Sequence, residues 1–111
     1  MHNCLFCKII RGEIPCKKIF EDADFIAFHD IHPKAPIHAL IIPKKHIESL
    51  AHLEAEDTLL MGQLTLLLKK LAQDLGLSHG FKVQINTGIG GGQEVFHLHY
   101  HLLGSPTSAT S

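Results

Sequence analysis

The chain has 111 residues, with 10 Lys plus Arg against 11 Asp plus Glu and a formal net charge of −1 at pH 7. This length suits one compact domain, and a composition of 45% hydrophobic and 19% charged residues excludes a disordered or fibrous protein. The near-zero charge balance argues against a nucleic-acid binder, which normally presents a basic face to phosphate. The unusual feature is histidine, of which there are 10.

The cysteine content and the apolar runs indicate where the protein resides. Cys4, Cys7 and Cys16 cannot form a complete set of disulfides, because one of the three would remain unpaired. The chain begins with polar residues rather than a secretory signal, and no apolar run approaches the ~20 residues that cross a bilayer. We therefore expect a cytoplasmic protein without membrane association, whose cysteines are free thiols or metal ligands.

The first elements in chain order are a short helix and a hairpin. Apolar residues at helical spacing predict a helix over residues 4–11, which Gly12 and Pro15 end. Two short runs rich in β-prone residues follow at 18–21 and 24–28, and they predict two antiparallel strands joined by a tight turn.

A loop, a buried strand and one long helix come next. Residues 30–36 contain two prolines and predict a loop. The continuous apolar run 39–42, ended by Pro43, is typical of a strand covered on both faces. Leucines at steps of three and four predict a long helix over 54–75, and Gly76 stands where a helix C-terminus favours glycine.

The last third of the chain predicts two more strands. Residues 81–86 alternate between apolar and polar side chains, and a glycine-rich loop leads to a final strand over about 95–103. Residues 105–111 form a polar tail that we expect to be disordered. We therefore assign residues 1–104 to a single domain.

The informative segment is His97-Leu98-His99-Tyr100-His101-Leu102-Leu103. In a strand, alternate side chains share a face, so the spacing predicts His97, His99 and His101 on one face, opposite an apolar one. Imidazole suits nucleophilic, acid–base and metal-binding roles. A merely solvated strand face would usually carry Lys, Glu or Thr instead.

A glycine-rich run, Gly90-Gly91-Gly92-Gln93, directly precedes the histidines. Glycine lets backbone N–H groups approach a phosphate closely, although a glycine-rich hairpin loop is the ordinary explanation of such a run alone. Because this run leads into the histidine segment, we interpret it as a phosphate cradle.

Together these residues resemble the histidine-triad family, whose signature is three histidines alternating with hydrophobic residues, followed by two hydrophobic residues. Further segments resemble its Hint branch of histidine-triad nucleotide-binding proteins: 6–15, 28–31, 35–38, 42–47 and 91–96. The resemblance implies an α+β fold with an antiparallel sheet of about five strands, one long and one short helix, and a sheet continued across a homodimer. It also implies hydrolysis of purine nucleoside phosphoramidates, such as AMP linked to an amine or to lysine, with no cofactor required for catalysis.

The resemblance also implies the roles of individual residues. His99 matches the family's nucleophile, which forms a covalent nucleotidyl-histidine. His101 would bond a phosphate oxygen, and His97 with His38 would form the relay that supports His99. Asp30 would hold the ribose, and Asn86 with the 92–94 backbone the phosphate. The nucleotide-binding set that follows is Asp30, Asn86, Gly92, Gln93, Glu94, His99 and His101, with a purine wall of Leu5, Phe6, Ile9, Phe28, His29 and Ile31. Ordinary core packing is the alternative for these wall residues.

Two departures from the family concern the leaving-group side of the site. Many relatives carry serine where Glu94 stands, and a carboxylate there would repel acidic substrates and favour a cationic amine. Relatives often close the leaving-group pocket with C-terminal residues, whereas this chain ends in a short Ser/Thr-rich tail. Both features bear on leaving-group selectivity.

The pair Cys4-x-x-Cys7 has zinc-ligand spacing, but two ligands do not make a tetrahedral site. Some bacterial histidine-triad proteins are similar here and pair such cysteines with two histidines, which would add His46 and His97 to a structural zinc site. The alternative is a helix with two incidental thiols. Zinc on His97 would also exclude that residue from a proton relay, so the two roles compete.

Two other functions remain open at the level of sequence. One is hydrolysis of dinucleoside polyphosphates, the activity of another histidine-triad branch. The other is a non-catalytic module that binds nucleotide or zinc. The first would bind a purine nucleotide, and the second would bind a nucleotide or a metal. Neither function involves nucleic acid or a membrane.

Overall fold

The structure is a computed structural model that describes residues 4–106. It confirms the α+β class, with a five-stranded antiparallel sheet, one long helix and one short helix. The helices and strands are α1 (Leu5–Ile10), β1 (Lys18–Glu21), β2 (Phe25–His29), β3 (Ile37–Pro43), α2 (Thr58–Asp74), β4 (Lys82–Gln84) and β5 (Tyr100–Gly104). Of the expected tail, Ser105 and Pro106 are exposed and residues 107–111 lie outside the described part.

The strands are arranged in the order β1-β2-β3-β5-β4, and all neighbours are antiparallel. The continuous apolar run becomes β3 at the centre of the sheet, where its residues from His38 to Pro43 are buried. This matches the expectation that a strand covered on both faces is apolar along its length. β3 pairs with β5 in a register that places His38 opposite Leu103 and Leu40 opposite His101.

The two faces of the sheet carry two separate apolar clusters. The long helix α2 packs its buried leucines, among them Leu64, Leu68 and Leu71, against one face. The short helix α1 places Phe6 and Ile9 against the opposite face. None of the helices in residues 4–106 is long and apolar enough to cross a membrane.

Glycine ends α2 as its position in the sequence predicts. Gly76 has φ +80°, and the backbone N–H groups of Gly76 and Leu77 donate to the carbonyls of Gln73 and Ala72. This is the Schellman arrangement, which satisfies the last carbonyls of a helix and requires a left-handed residue. Leu77 is buried just beyond it and returns the chain to the sheet.

The last strand is shorter than the alternation predicts. β5 begins at Tyr100, so His97 and His99 precede the strand instead of lying in it. The segment before β5 is tied to the loop after β3, since the Leu98 N–H donates to the Ile47 carbonyl at 2.6 Å. The expected strand over 95–103 is therefore shorter at its start. The expected alternation is confirmed, since Leu98, Tyr100 and Leu102 lie in the cluster on the α2 face. The His97 and His99 rings contact Phe6 on the α1 face, where His101 lies beside its pairing partner Leu40.

Candidate active site

A cavity of about 580 Å³ opens on the α1 face of the sheet. Its size falls within the range of ~300–1,000 Å³ that is usual for small-molecule sites. Most of the residues expected to bind nucleotide line it, namely Leu5, Phe6, Ile9, Phe28, His29, Asp30, Ile31, Asn86, Gly92, Glu94, His99 and His101, together with His38. The cavity therefore collects residues from α1, β2, β3, β5 and the glycine-rich loop around two histidines.

The hydrogen bonds of His99 fix which of its nitrogens carries the proton. Its Nδ1 lies 2.7 Å from the main-chain carbonyl oxygen of His97. A carbonyl can only accept, so Nδ1–H donates and the lone pair of the neutral ring lies on Nε2. Burial lowers the pKa of His99, which favours this neutral ring. His99 therefore presents a basic nitrogen in a cavity-lining position, as a nucleophile requires.

A second chain of hydrogen bonds orients His101. The Lys34 backbone N–H donates to His38 Nδ1 at 3.0 Å, which assigns the proton of His38 to Nε2. His38 Nε2–H then donates to His101 Nδ1 at 2.9 Å, so the proton of His101 lies on Nε2. Burial, followed by the charges of His99 and His38, lowers the pKa of His101 to about 4. At neutral pH, His101 is consequently an uncharged hydrogen-bond donor.

The structure places His97 away from the cavity, with an exposed fraction of 0%. Its Nε2–H donates to the Pro43 carbonyl at 2.7 Å, and its Nδ1 is directed at Cys4, Cys7 and His46. The expected relay of His97 with His38 is not the arrangement in the structure, since His38 bonds His101 instead. The link from His97 to His99 runs through the backbone carbonyl.

The cavity is lined by Asp30, expected to bind ribose, and by Asn86 and Gly92, expected to bind phosphate. Asp30 Oδ2 lies 3.4 Å from His38 Nε2, while Oδ1 accepts the His32 N–H at 2.8 Å. Asn86 donates from Nδ2 to the Gly91 carbonyl at 2.8 Å, which ties it to the glycine-rich loop. Gly92 has φ +82°, a left-handed conformation that favours glycine and shapes this loop.

Part of the cavity wall is also the core on this side of the sheet. Phe6, Ile9 and Phe28 are buried together, and the Phe6 ring meets the Phe28 and His99 rings edge-to-face at 5.7 and 5.0 Å. Ile31 differs, because it is 83% exposed and lines the cavity mouth. The expected purine wall and the alternative of core packing therefore describe the same buried residues.

The four residues of the expected zinc set come together. The ligand atoms of Cys4, Cys7, His46 and His97 all lie within 4.8 Å of one another. Four N···N and N···S separations among them run from 3.1 to 3.6 Å. Zinc bonds of ~2.0–2.1 Å to nitrogen and ~2.3 Å to sulfur in a tetrahedron would give about 3.3 Å for N···N and 3.6 Å for N···S. The donor set and its spacing therefore fit zinc.

The protonation pattern around this Cys4–Cys7–His46–His97 cluster is consistent with a metal. His97 donates Nε2–H to a backbone carbonyl, the second-shell bond that metal-binding histidines usually make, and turns Nδ1 toward the cluster. Burial and the neighbouring Cys4 raise the pKa of Cys7 to about 11, so its thiol stays protonated until a cation replaces the proton.

A second group, Asp30 with His38 and His101, also has ligand atoms within 4.8 Å of one another. Here the hydrogen bonds disfavour a metal. The Lys34 N–H occupies the Nδ1 lone pair of His38, so the His38 nitrogen facing His101 carries a proton rather than a lone pair. We therefore assign this group to hydrogen bonding with a ligand.

Sequence reasoning missed several residues of the site. The backbone of Lys34 orients His38, and no side-chain pattern signals this. Lys82 and Gln84 of β4 line the cavity. Gln93 was expected among the phosphate contacts through its backbone, but its buried side chain bonds three backbone groups, of Gly88, Glu48 and Val95, and so holds the loop shape.

Known proteins resemble this chain over nearly its full length, both in sequence and in structure. A family model described as scavenger mRNA decapping enzyme C-term binding matches residues 3–111. Protein HitA of Neisseria gonorrhoeae is 52% identical over 106 residues, which cover 96% of this chain and 99% of that protein. A HIT family hydrolase from Legionella pneumophila superposes with a TM-score of 0.91 at 51% identity, over 95% of both chains. A histidine triad protein from Clostridium difficile gives 0.90 at 41% identity, over 97% of this chain and 95% of that one.

Proposed function

The chain belongs to the histidine-triad (HIT) family of hydrolases and nucleotide-binding proteins, and on that premise we propose that it cleaves the P–N bond of purine nucleoside phosphoramidates. Its substrates would be AMP-type nucleotides joined to an amine or to lysine. The observation that carries the proposal is the hydrogen bond from His99 Nδ1–H to the His97 carbonyl, which leaves the Nε2 lone pair for attack.

In the first step, His99 Nε2 forms a bond to phosphorus as the P–N bond of the substrate breaks. The amine leaves with the bonding electron pair and takes a proton from solvent at the open mouth of the cavity. The positive charge that develops on the His99 ring is stabilised by the His97 carbonyl at Nδ1. The product of this step is a nucleotidyl-histidine, which divides one difficult displacement into two easier ones.

In the second step, water attacks phosphorus from the side that the amine has left. The P–Nε2 bond breaks, its electron pair returns to His99, and the water proton passes to solvent. His101 donates Nε2–H to a phosphate oxygen in both steps, and its neutral form is maintained by its low pKa. Fixed donors of this kind stabilise the charge that accumulates on phosphate oxygens.

The cavity also supports a purine nucleotide as the bound group. Phe6 and Phe28 offer aromatic surface to a base, while Asp30 offers a carboxylate to ribose hydroxyls. Incubation with an adenosine phosphoramidate tests the activity, since it should release AMP and free amine. Faster turnover of a dinucleoside polyphosphate than of the phosphoramidate would instead favour the other HIT branch.

We propose that Cys4, Cys7, His46 and His97 hold a structural zinc ion, which is not needed as a catalyst. Bound zinc would supply a fixed tetrahedral link between α1, the loop after β3 and the segment before β5. The support is the spacing and donor chemistry of the cluster. The three cysteines are unbridged, which is consistent with a reducing, cytoplasmic location.

We propose a homodimer that continues the sheet across its β4 edge. β4 is an edge strand with all three residues exposed, and the adjacent Phe81 is 45% exposed. Exposed edge strands pair readily with another chain. Val83→Lys places a charge on this edge and should convert a dimer to a monomer in sedimentation velocity, whereas an unchanged mass would contradict this interface.

A further inference from the structure

One residue belongs to both the Cys4–Cys7–His46–His97 cluster and the environment of the nucleophile. The His97 side chain lies in the cluster at 3.1 Å from His46 and 3.5 Å from Cys4. The carbonyl of the same residue accepts from His99 Nδ1 at 2.7 Å. Any change in how the cluster holds His97 therefore acts on His99 through a single residue.

The helix α1 makes a second connection between the cluster and the nucleophile. Cys4 caps α1, because its sulfur accepts the Cys7 N–H at 3.4 Å, and both thiols belong to the cluster. Phe6 lies between them and meets the His97 and His99 rings edge-to-face, with centroids 6.1 and 5.0 Å apart. The cluster consequently fixes the hydrogen-bond acceptor of His99 and one aromatic contact of its ring.

From this double connection we infer that a metal ion in the Cys4–Cys7–His46–His97 cluster positions the nucleophile. The bound ion holds His99 as the Nδ1–H tautomer. The inference rests on the proposed role of His99. Without metal, the cluster is held by thiol hydrogen bonds, which are weak because S–H is a weak donor, and by the 3.1 Å contact between the His46 and His97 rings. With a zinc-like cation, a metal bond to Nδ1 would add to the Nε2–H bond to Pro43, so that the His97 ring, and with it the carbonyl, is held at both nitrogens. His97 is then a positioning residue.

The test uses the full chain labelled with ¹⁵N in histidine, loaded with one equivalent of zinc or treated with a chelator. Imidazole ¹⁵N shifts at one fixed pH report the tautomer of His99, whose signals are those lost in His99→Ala. We expect a single Nδ1–H tautomer in the zinc-loaded protein and a mixture in the metal-free protein. The rate of adenylyl-His99 formation should fall by about 10- to 100-fold without metal, the usual effect of losing support around a site, with a smaller change in KM.

Matched variants separate the cluster from general effects. Cys4→Ser and His46→Gln remove one ligand each and should give the metal-free tautomer mixture even with zinc present. His79→Gln changes an exposed histidine outside the cluster and should leave zinc content, tautomer and rate unchanged. Circular dichroism checks that each protein is folded. If Cys4→Ser unfolds, the chelated wild type and His46→Gln provide the same comparison.

The outcomes distinguish this inference from the proposed function. An unchanged His99 tautomer in folded, metal-free protein would overturn the coupling, and so would a wild-type chain that binds no zinc. A change of the His99 tautomer on metal removal, in a protein that never forms adenylyl-histidine, would support the coupling. The same result would contradict the proposed phosphoramidase activity.

Discussion

His38→Ala tests the hydrogen-bond chain that orients His101. The substitution removes the acceptor of the Lys34 N–H and the donor to His101 Nδ1, which lie 3.0 and 2.9 Å from the His38 ring. Both bonds are part-buried and Lys34 is exposed, so water can replace some of what is lost. At about 0.5–1.5 kcal/mol per hydrogen bond, the free energy of unfolding should fall by about 1–3 kcal/mol. The free energy of unfolding of small domains is ~5–15 kcal/mol, so the variant should still fold at low temperature.

The effect on turnover follows from the role of His101. A hydrogen bond to a charged group contributes about 1.5–3 kcal/mol, and loss of the fixed Nε2–H donor should lower kcat by about 10- to 150-fold. His38→Gln retains an N–H that can donate to His101 Nδ1. It should recover most of kcat but only part of the lost stability, because the Lys34 N–H loses its imidazole acceptor.

The assays are kcat and KM on an adenosine phosphoramidate, with the free energy of unfolding from urea titration. The pH profile gives a further readout. Burial and the neighbouring imidazoles hold the pKa of His101 at about 4, and His38→Ala admits water and removes one neighbour. The pKa of His101 should therefore rise toward its ordinary value, and the acid limb of kcat should move to higher pH. Equal kcat in wild type, His38→Ala and His38→Gln would refute the reasoning.

Three further predictions concern the metal, the leaving group and acid stability. The purified chain should contain one zinc per chain, and Cys4→Ser should contain none, as measured by atomic absorption; equal content in both would contradict the cluster. Glu94 lines the cavity, so Glu94→Ser should reduce the preference for cationic over neutral leaving groups in kcat/KM, and unchanged discrimination would contradict its role. The free energy of unfolding should decrease from pH 7 to pH 5, because His101 binds a proton near pH 6.5 when unfolded but only near 4 when folded. His101→Gln should show a smaller decrease in the same urea titrations.

The secondary structure was largely predictable because local patterns determine it. Leucines at helical spacing with Gly76 after them mark the long helix and its end, and the structure ends that helix at Asp74 with Gly76 in the left-handed conformation. The apolar run before Pro43 becomes the central strand β3. In both cases the residues that form the element also bury its apolar side, so local propensity and tertiary packing agree.

The site was predictable in its members but not in its connections. Alternation correctly predicted that His97 and His99 share a face, and both rings contact Phe6 there. It did not reveal that only His99 lines the cavity, while His97 joins the cysteine cluster. The contact between His46 and His97 joins residues that lie 51 positions apart, which no local spacing reveals. The bond from the Lys34 backbone to His38 depends on loop conformation alone.

The central claim is that His99 Nε2 becomes covalently linked to the nucleotide. The most direct measurement is intact mass after rapid quenching of the protein with an adenosine phosphoramidate. The account predicts a population heavier by one adenylyl group, mapped to His99 by fragmentation and absent in His99→Ala. Turnover by wild type with no adenylylated chain at any quench time, or an adduct that persists in His99→Ala, would contradict it.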